Sequence, residues 1–111
     1  MAAFKFVVFT NPKPGEEAAY NAWYDDVHLG DVLDVPGFVS AQRFAIDDAA
    51  DFNGYRYLAI YDIECDDPQA TLAGLMKRAG TDAMVISPAM DPKAKANLWR
   101  AITPMVMPRA K

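Results

Sequence analysis

The stretch Tyr20–Phe44, YNAWYDDVHLGDVLDVPGFVSAQRF, holds five aromatic rings, the only histidine of the chain and its sharpest turn signal. Tyr20, Trp23, Tyr24 and Val27 fall at i, i+3, i+4 and i+7, which predicts one apolar stripe on a helix. The helix is expected over Glu16 to Leu29. Two acids open it where the helix dipole favours them, and Gly30 supplies a left-handed stop. Asp31 to Val35 reads as a further irregular turn. Pro36 then pushes Val35 out of the helical region, and Gly37 permits a tight reversal. Phe38 to Ile46 follows as a strand. Phe38, Ser40, Gln42, Phe44 and Ile46 share one of its faces, and Val39, Ala41, Arg43 and Ala45 the other.

Working outward, Phe4 to Thr10 (FKFVVFT) is dense in β-branched and aromatic residues and ends at Asn11-Pro12-Lys13-Pro14-Gly15, so it reads as a first strand and its exit loop. Asp47 to Gly54 is a polar, turn-rich connection. Tyr55 to Glu64 (YRYLAIYDIE) is the next strand, with Tyr55, Tyr57, Ala59, Tyr61 and Ile63 on one side and Arg56, Leu58, Ile60 and Asp62 on the other. Asp66-Asp67-Pro68 caps a second helix, Gln69 to Ala79, closed by Gly80. Leu72, Leu75, Met76 and Ala79 supply its buried face. Thr81 to Ala96 reads as a loop with one short helical turn, and Asn97 to Val106 as a last strand that Pro104 places at an edge or an end. The order strand, helix, strand, strand, helix, strand predicts an α+β, ferredoxin-like βαββαβ unit: a four-stranded antiparallel sheet with both helices on one face.

A chain of 111 residues is long enough to bury a core as a single domain. Its net charge of -4 and 11 scattered basic residues argue against a nucleic-acid partner, which would need clustered cations. Cys65 is the only cysteine and His28 the only histidine, so neither a zinc cluster nor a CxxC redox motif can be assembled and no metal or cofactor is expected. The aspartates Asp47, Asp48 and Asp51 lack calcium-loop spacing and read as a solvated turn. No Gly-rich phosphate loop is present. The opening residues resemble no secretory leader, and no stretch approaches the ~20 apolar residues of a membrane span. A cytoplasmic protein without membrane contact is the expectation.

Two helices cover one side of a sheet, yet the strands carry large apolar residues on both, as Phe6 and Val8 against Val7 and Phe9 show. An uncovered patch of that size marks an interface. A two-fold pairing of open faces uses one patch twice, which predicts a homodimer. The alternative is that the tyrosines lie half-exposed with their hydroxyls in water.

Trp23-Tyr24-Asp25-Asp26-Val27-His28, then Asp31-Val32-Leu33-Asp34-Val35-Pro36-Gly37-Phe38 and Ala41-Gln42-Arg43-Phe44, resemble the dimeric α/β-barrel superfamily, and within it EthD-like proteins. The resemblance implies that a substrate sits between helices and sheet while the other sheet face builds the dimer. It also implies a candidate acid/base at His28. Cofactor-free monooxygenases, polyketide cyclases and isomerases share the superfamily, so the fold alone names no reaction.

From the residues themselves, His28 lies at the edge of the ring-bearing stripe and could exchange a proton near neutral pH. Asp31 could hold its other N–H if the helix continues through Gly30, with Asp25 as the alternative. A histidine in a last helical turn can also simply complement the dipole. Tyr20, Trp23, Tyr24 and Tyr61 are candidates to line a pocket for a flat aromatic ligand, or are core. Tyr57 is a candidate catalytic hydroxyl, or packing. Arg43 and Arg56 could meet an anionic ligand or pair with the 15 acids. Cys65, between Glu64 and Asp66, is disfavoured as a thiolate. The function expected is proton transfer by His28 on a small apolar, aromatic or polyketide-like molecule: isomerisation, cyclisation, lyase chemistry or direct oxygenation. The alternative is a non-catalytic dimeric binding or stress-related protein.

Overall fold

The computed structural model describes residues 2–47 and 51–110. Its elements are β1 (Ala2–Thr10), a helix in three parts, β2 (Phe38–Ala45), β3 (Tyr57–Cys65), the helix α3 (Pro68–Arg78) and β4 (Lys95–Arg100). The four strands form one antiparallel sheet in the order β2-β3-β1-β4. This is the ferredoxin-like arrangement expected from the element order. Alternation along the strands turns Phe4, Phe6, Val8, Ala59, Tyr61 and Ile63 toward the helices, where the buried core lies. Val7, Phe9, Leu58 and Ile60 take the opposite, open face, where Val7 pairs with Ile60 and Phe9 with Leu58.

The long helix departs from the expected Glu16 to Leu29 with its stop at Gly30. It runs as α1 (Glu17–Trp23), a π-helical turn (Tyr24–His28) and α2 (Leu29–Leu33). Gly30 lies inside α2, and Asp31 to Leu33 are helical rather than an irregular turn. Continuing buries Val32 to 2% exposure and Val35 to 1%, which outweighs the roughly 1 kcal/mol helix penalty of one glycine. The left-handed residue is instead Gly37, at φ 100, where a Cβ would lie 2.9 Å from Thr71 Cγ2 of α3. Glycine at this position therefore permits both the turn and the close approach of α3.

The π-helical turn is marked by the Leu29 N–H donating to the Tyr24 carbonyl, five residues back. At ~100° per residue an unbroken α-helix would carry Val32 about 120° away from Tyr20. The wider turn takes back most of that rotation, so Tyr20, Tyr24 and Val32 are all buried. The same shift moves Val27 out of the expected stripe, to 43% exposure.

β2 has an irregularity between Phe38 and Ser40, where two steps of β2 match one of β3 (Phe38 with Ile63, Ser40 with Asp62). The bulge rotates the strand, so Phe38 faces the helices and packs on Phe6 and Tyr61, apart from Ser40, Gln42 and Phe44. Tyr55 precedes β3 in a tight turn closed by reciprocal bonds with Phe52. Its ring lies 5.8 Å from Phe9, on the opposite side from Tyr57. In the preceding connection, Asp48, Ala49 and Ala50 lie outside the described residues.

Asp67 caps α3 by accepting from the Gln69 and Ala70 N–H groups, with Pro68 in the first turn, as expected. Thr71 and Leu75 are buried, but Met76 is 70% exposed, being one position further round the helix than Leu75. Residues 81–94 form turns without a helical segment. They are anchored by Met84 and Ala89 in the core and by a bridge from Pro12 to Met90. β4 ends at Arg100, opposite Phe4, short of the expected Val106; beyond that point β1 has only Ala3 and Ala2 left to pair with it.

Candidate functional site

α1, the π-turn, β2 and β3 bring Tyr20, Trp23, Tyr24, His28, Arg43, Tyr57 and Tyr61 together between helix and sheet. Tyr20 and Tyr24 lie one turn apart, their ring centroids 5.6 Å apart. Tyr57 of β3 reaches the Tyr20 ring at 5.3 Å. Arg43, on the helix-facing side of β2, sits 4.4 Å from the Tyr24 ring centroid, 5.3 Å from Tyr20 and 5.5 Å from Tyr57, a cation over three π faces.

The π-turn sets the far end of this cluster. An i to i+5 turn brings residues five apart into line, and Trp23 and His28 accordingly stack at 4.5 Å with planes 24° apart. His28 also meets the Tyr24 ring edge-on at 5.0 Å. The indole N–H of Trp23 donates to the Val85 carbonyl at 3.0 Å, fixing the ring beneath the 81–94 segment.

Hydrogen bonding separates engaged groups from free ones. Arg43 donates to Asp25 Oδ1 at 2.7 Å and to Asn21 Oδ1 at 2.8 Å. Tyr57 donates its hydroxyl to Glu17, which also pairs with Arg56 at 3.1 Å. The Tyr20 hydroxyl bonds Thr10 Oγ1. Among the described residues two buried side-chain polar atoms have no partner: His28 Nδ1 and Tyr61 Oη. Tyr61 is 1% exposed, and the Tyr24 phenol is its neighbouring polar group. The helix does continue through Gly30, but Asp31 makes no hydrogen bond to His28 Nδ1; its carboxylate acts on the ring only through its field.

Burial dominates the ionisation of these groups. It lowers the His28 imidazole to about 4, against an upward pull from Asp31, so His28 is neutral at pH 7. Burial likewise raises the Tyr20, Tyr24 and Tyr61 phenols, with Arg43 pulling each back in part, so all three keep their protons. Arg43 is held charged: burial works against it but is outweighed by Asp25 and Tyr20. The site therefore combines a neutral imidazole, a set of protonated phenols and one guanidinium, charged and paired with Asp25. Among the described residues no group of three or more metal-ligating side chains occurs.

Sequence reasoning missed Thr10, Asn21, Glu17 and Val85. Asn21 and Asp25 stand at i and i+4, on one side of the helix, and Thr10 continues the Phe4, Phe6, Val8 alternation; both signals were available. The Trp23–Val85 bond had none, since it links segments far apart in sequence.

No protein-family model and no curated protein matches the chain. Solved structures do. A proposed monooxygenase from Shewanella loihica PV-4 superimposes with a TM-score of 0.62 at 15% identity, over 93% of this chain and 97% of that one. SnoaB, a cofactor-independent oxygenase from Streptomyces nogalater, gives 0.54 at 19% identity, over 95% and 98%. An EthD (ethyl tert-butyl ether) family protein from Bacillus halodurans C-125 gives 0.51 at 12% identity, over 92% and 100%. The resemblance read from Tyr20–Phe44 is thus borne out at the level of fold: the chain is similar throughout to an EthD family member, to one protein named as a monooxygenase and to one named as a cofactor-independent oxygenase.

Proposed function

We propose that this chain is a small cofactor-independent enzyme that takes an apolar, aromatic or polyketide-like molecule between helix and sheet and moves a proton through His28. The observation that carries the reading is the pair of buried, unpartnered atoms, His28 Nδ1 and Tyr61 Oη, in residues that both neighbour Tyr24, the imidazole against its ring and the Tyr61 phenol beside its phenol. An unsatisfied buried polar atom costs about 1–3 kcal/mol. A ligand with one acidic proton and one oxygen would satisfy both.

The neutral imidazole accepts the proton of a substrate C–H or O–H, and the negative charge moves onto a substrate oxygen held by a tyrosine hydroxyl. Tyr61 suits that role better than Tyr57, whose hydroxyl is committed to Glu17. Moving a proton from a phenol near 10 to a base near 4 is uphill by about 8 kcal/mol, so the anion must be stabilised where it forms. Protonated phenols around an apolar site do this, and Asp31 favours the imidazolium. The anion then takes the proton back at another atom, giving isomerisation; or it attacks a carbonyl of the same molecule and the alkoxide so formed takes the proton, giving cyclisation; or it gives electrons to dioxygen. The oxygenation branch is supported by the fold shared with SnoaB, named as a cofactor-independent oxygenase. Trp23, Tyr20 and Tyr24 supply flat apolar walls; Arg43, already paired, orients the phenols.

We further propose that two copies pair through their open sheet faces, where Phe44 is 43% and Trp99 58% exposed. Sedimentation showing a concentration-independent 12.2 kDa species would sink this.

The test of the site follows the single imidazole by NMR through a pH titration, alone and with 1-naphthol and 1,8-dihydroxynaphthalene as probes. A midpoint well below 6.5, with resonances that move on ligand addition, supports the pocket. A midpoint near 6.5, indifferent to either probe, overturns it. For any compound turned over, His28→Gln should remove turnover with the fold intact and Tyr61→Phe should lower kcat about a hundredfold; turnover surviving in His28→Gln rejects the proton-transfer role.

A further inference from the structure

Arg43 has hydrogen-bonding capacity that the helix face does not use up. A guanidinium carries five N–H donors and no acceptor. Among the described residues two side-chain acceptors receive them, Asp25 Oδ1 at 2.7 Å and Asn21 Oδ1 at 2.8 Å. The Tyr20 phenol, already bonded to Thr10, is the other polar neighbour. The Arg43 side chain is only 13% exposed, so water serves few of the remaining donors. Tyr20, Tyr24 and Tyr57 otherwise present it with ring faces, which hold the charge but leave the N–H groups without lone pairs.

The acidic partner is held loosely. Asp25 meets Arg43 through one oxygen, and its side chain is 59% exposed, so it loses little by turning back to water. Asp25 and Arg43 also form the polar side of an open depression of about 330 Å³, whose other lining residues are Phe44, Ala45 and Tyr57. Phe44 and Ala45 have no side-chain acceptor, and the Tyr57 hydroxyl is committed to Glu17. Of the other charges nearby, Arg56 is paired with Glu17. Asp26 and Asp47 are exposed, so water screens them, whereas the guanidinium is largely out of water and acts at contact.

From the surplus donors and the loosely held partner we infer that Arg43 binds the carboxylate of an aromatic ligand, which enters through this depression and displaces Asp25. Two carboxylate oxygens take the guanidinium in a two-bond fork that Asp25 does not make, and the ring body lies against Tyr57 and Phe44. The inference rests on the function proposed above and names an aryl carboxylate as its ligand class. Arg43 and His28 both pack on Tyr24, at 4.4 and 5.0 Å from its ring centroid, so a fused-ring acid has the length to reach from the guanidinium to the imidazole.

Calorimetric titration near neutral pH with 2-naphthoate and its uncharged counterpart 2-naphthamide tests it. The acid should bind about tenfold more tightly than the amide. Asp25→Asn removes the competing charge at an exposed position and should tighten the acid about tenfold further while leaving the amide unchanged. Arg43→Met should abolish the preference for the acid. Were Asp25 present only to hold Arg43 in place, Asp25→Asn would weaken both ligands instead. An acid that binds no better than the amide overturns the inference, as does an affinity for the acid that Asp25→Asn leaves unchanged or lowers. The His28 resonances separate this from the function proposed above. If 1-naphthol moves them while acid and amide bind alike, the carboxylate site is wrong and the pocket stands. If the acid is preferred, and Asp25→Asn tightens it, but His28 responds to no ligand, the carboxylate site stands and the proton-transfer role falls.

Discussion

The two faces of the sheet are built by the same strands, residue by residue in alternation, and they handle polarity in opposite ways. On the helix face, Tyr61 and its neighbours are sealed by rings, and one phenol and one imidazole nitrogen lie buried with nothing to bond. On the open face, Val7, Phe9, Leu58 and Ile60 lie uncovered by helix, and three polar side chains among them bond one another. Lys5 pairs with Asp62 at 2.5 Å, and Ser40 donates to the other carboxylate oxygen at 2.6 Å. The Lys5 and Ser40 hydrogen bonds hold the Asp62 carboxyl below its usual range. A protein that only needed to be stable would do the reverse. Under the function proposed above, the first face takes a ligand and the second a partner.

The sharpest break of this comparison uses adjacent residues. Tyr61→Ala, on the helix face, should cost about 3–5 kcal/mol through the cavity it leaves. Ile60→Ala, one residue earlier and facing the other way, should cost no more than about 1 kcal/mol in urea titrations dilute enough to keep the chain monomeric. Equal costs in dilute protein would show that the open face is already covered within one chain.

The contrast was legible in part. Period-two alternation in FKFVVFT and YRYLAIYDIE, the Asp67-Pro68 cap and Gly80 carried the element order, because each of these signals acts within a few residues. The helix dipole, Gly30 and the i, i+3, i+4, i+7 stripe argued for a helix ending at Leu29. They lost to the burial of Val32 and Val35, a tertiary gain no local pattern contains. The π-turn was invisible for the same reason: its cost is local, whereas its gain comes from keeping Tyr20, Tyr24 and Val32 on one face. It also decides the environment of His28, by stacking it on Trp23 in place of Val27. The bulge at Val39 swapped the face of Phe38, and one irregular residue inverts everything on its far side. The tyrosines were recognised, but which of them was free depended on Glu17, a partner from a different element.

The buried face should also respond to pH. The His28 imidazole falls from 6.5 to about 4 on folding because burial disfavours its charge. Above pH 6.5 both states are neutral and folding is unopposed. As pH falls from 6.5 toward 4 the unfolded chain takes up a proton that the native chain refuses, so stability declines through that window and levels off below it. The full decline is on the order of 3 kcal/mol. Urea midpoints from pH 7 to 4 should show it, and His28→Gln should flatten the curve there; an undiminished slope in that variant would place the titration elsewhere.

The smallest effect is the most telling about the open face. Lys5 and Asp62 side chains are 61% and 43% exposed, and an ion pair that wet contributes about 0–1 kcal/mol. Lys5→Met should therefore leave a dilute, monomeric protomer nearly unchanged. Raising the concentration until two copies pair would bury Asp62 without its cation, and losing one partner of a buried pair costs about 3–5 kcal/mol. The substitution should then weaken association far more than it weakens folding, even though it adds apolar surface to an apolar face. If Lys5→Met instead strengthens association, the pair is solvated in the dimer, and the two open faces meet at their Phe9 and Leu58 ends rather than across their centres.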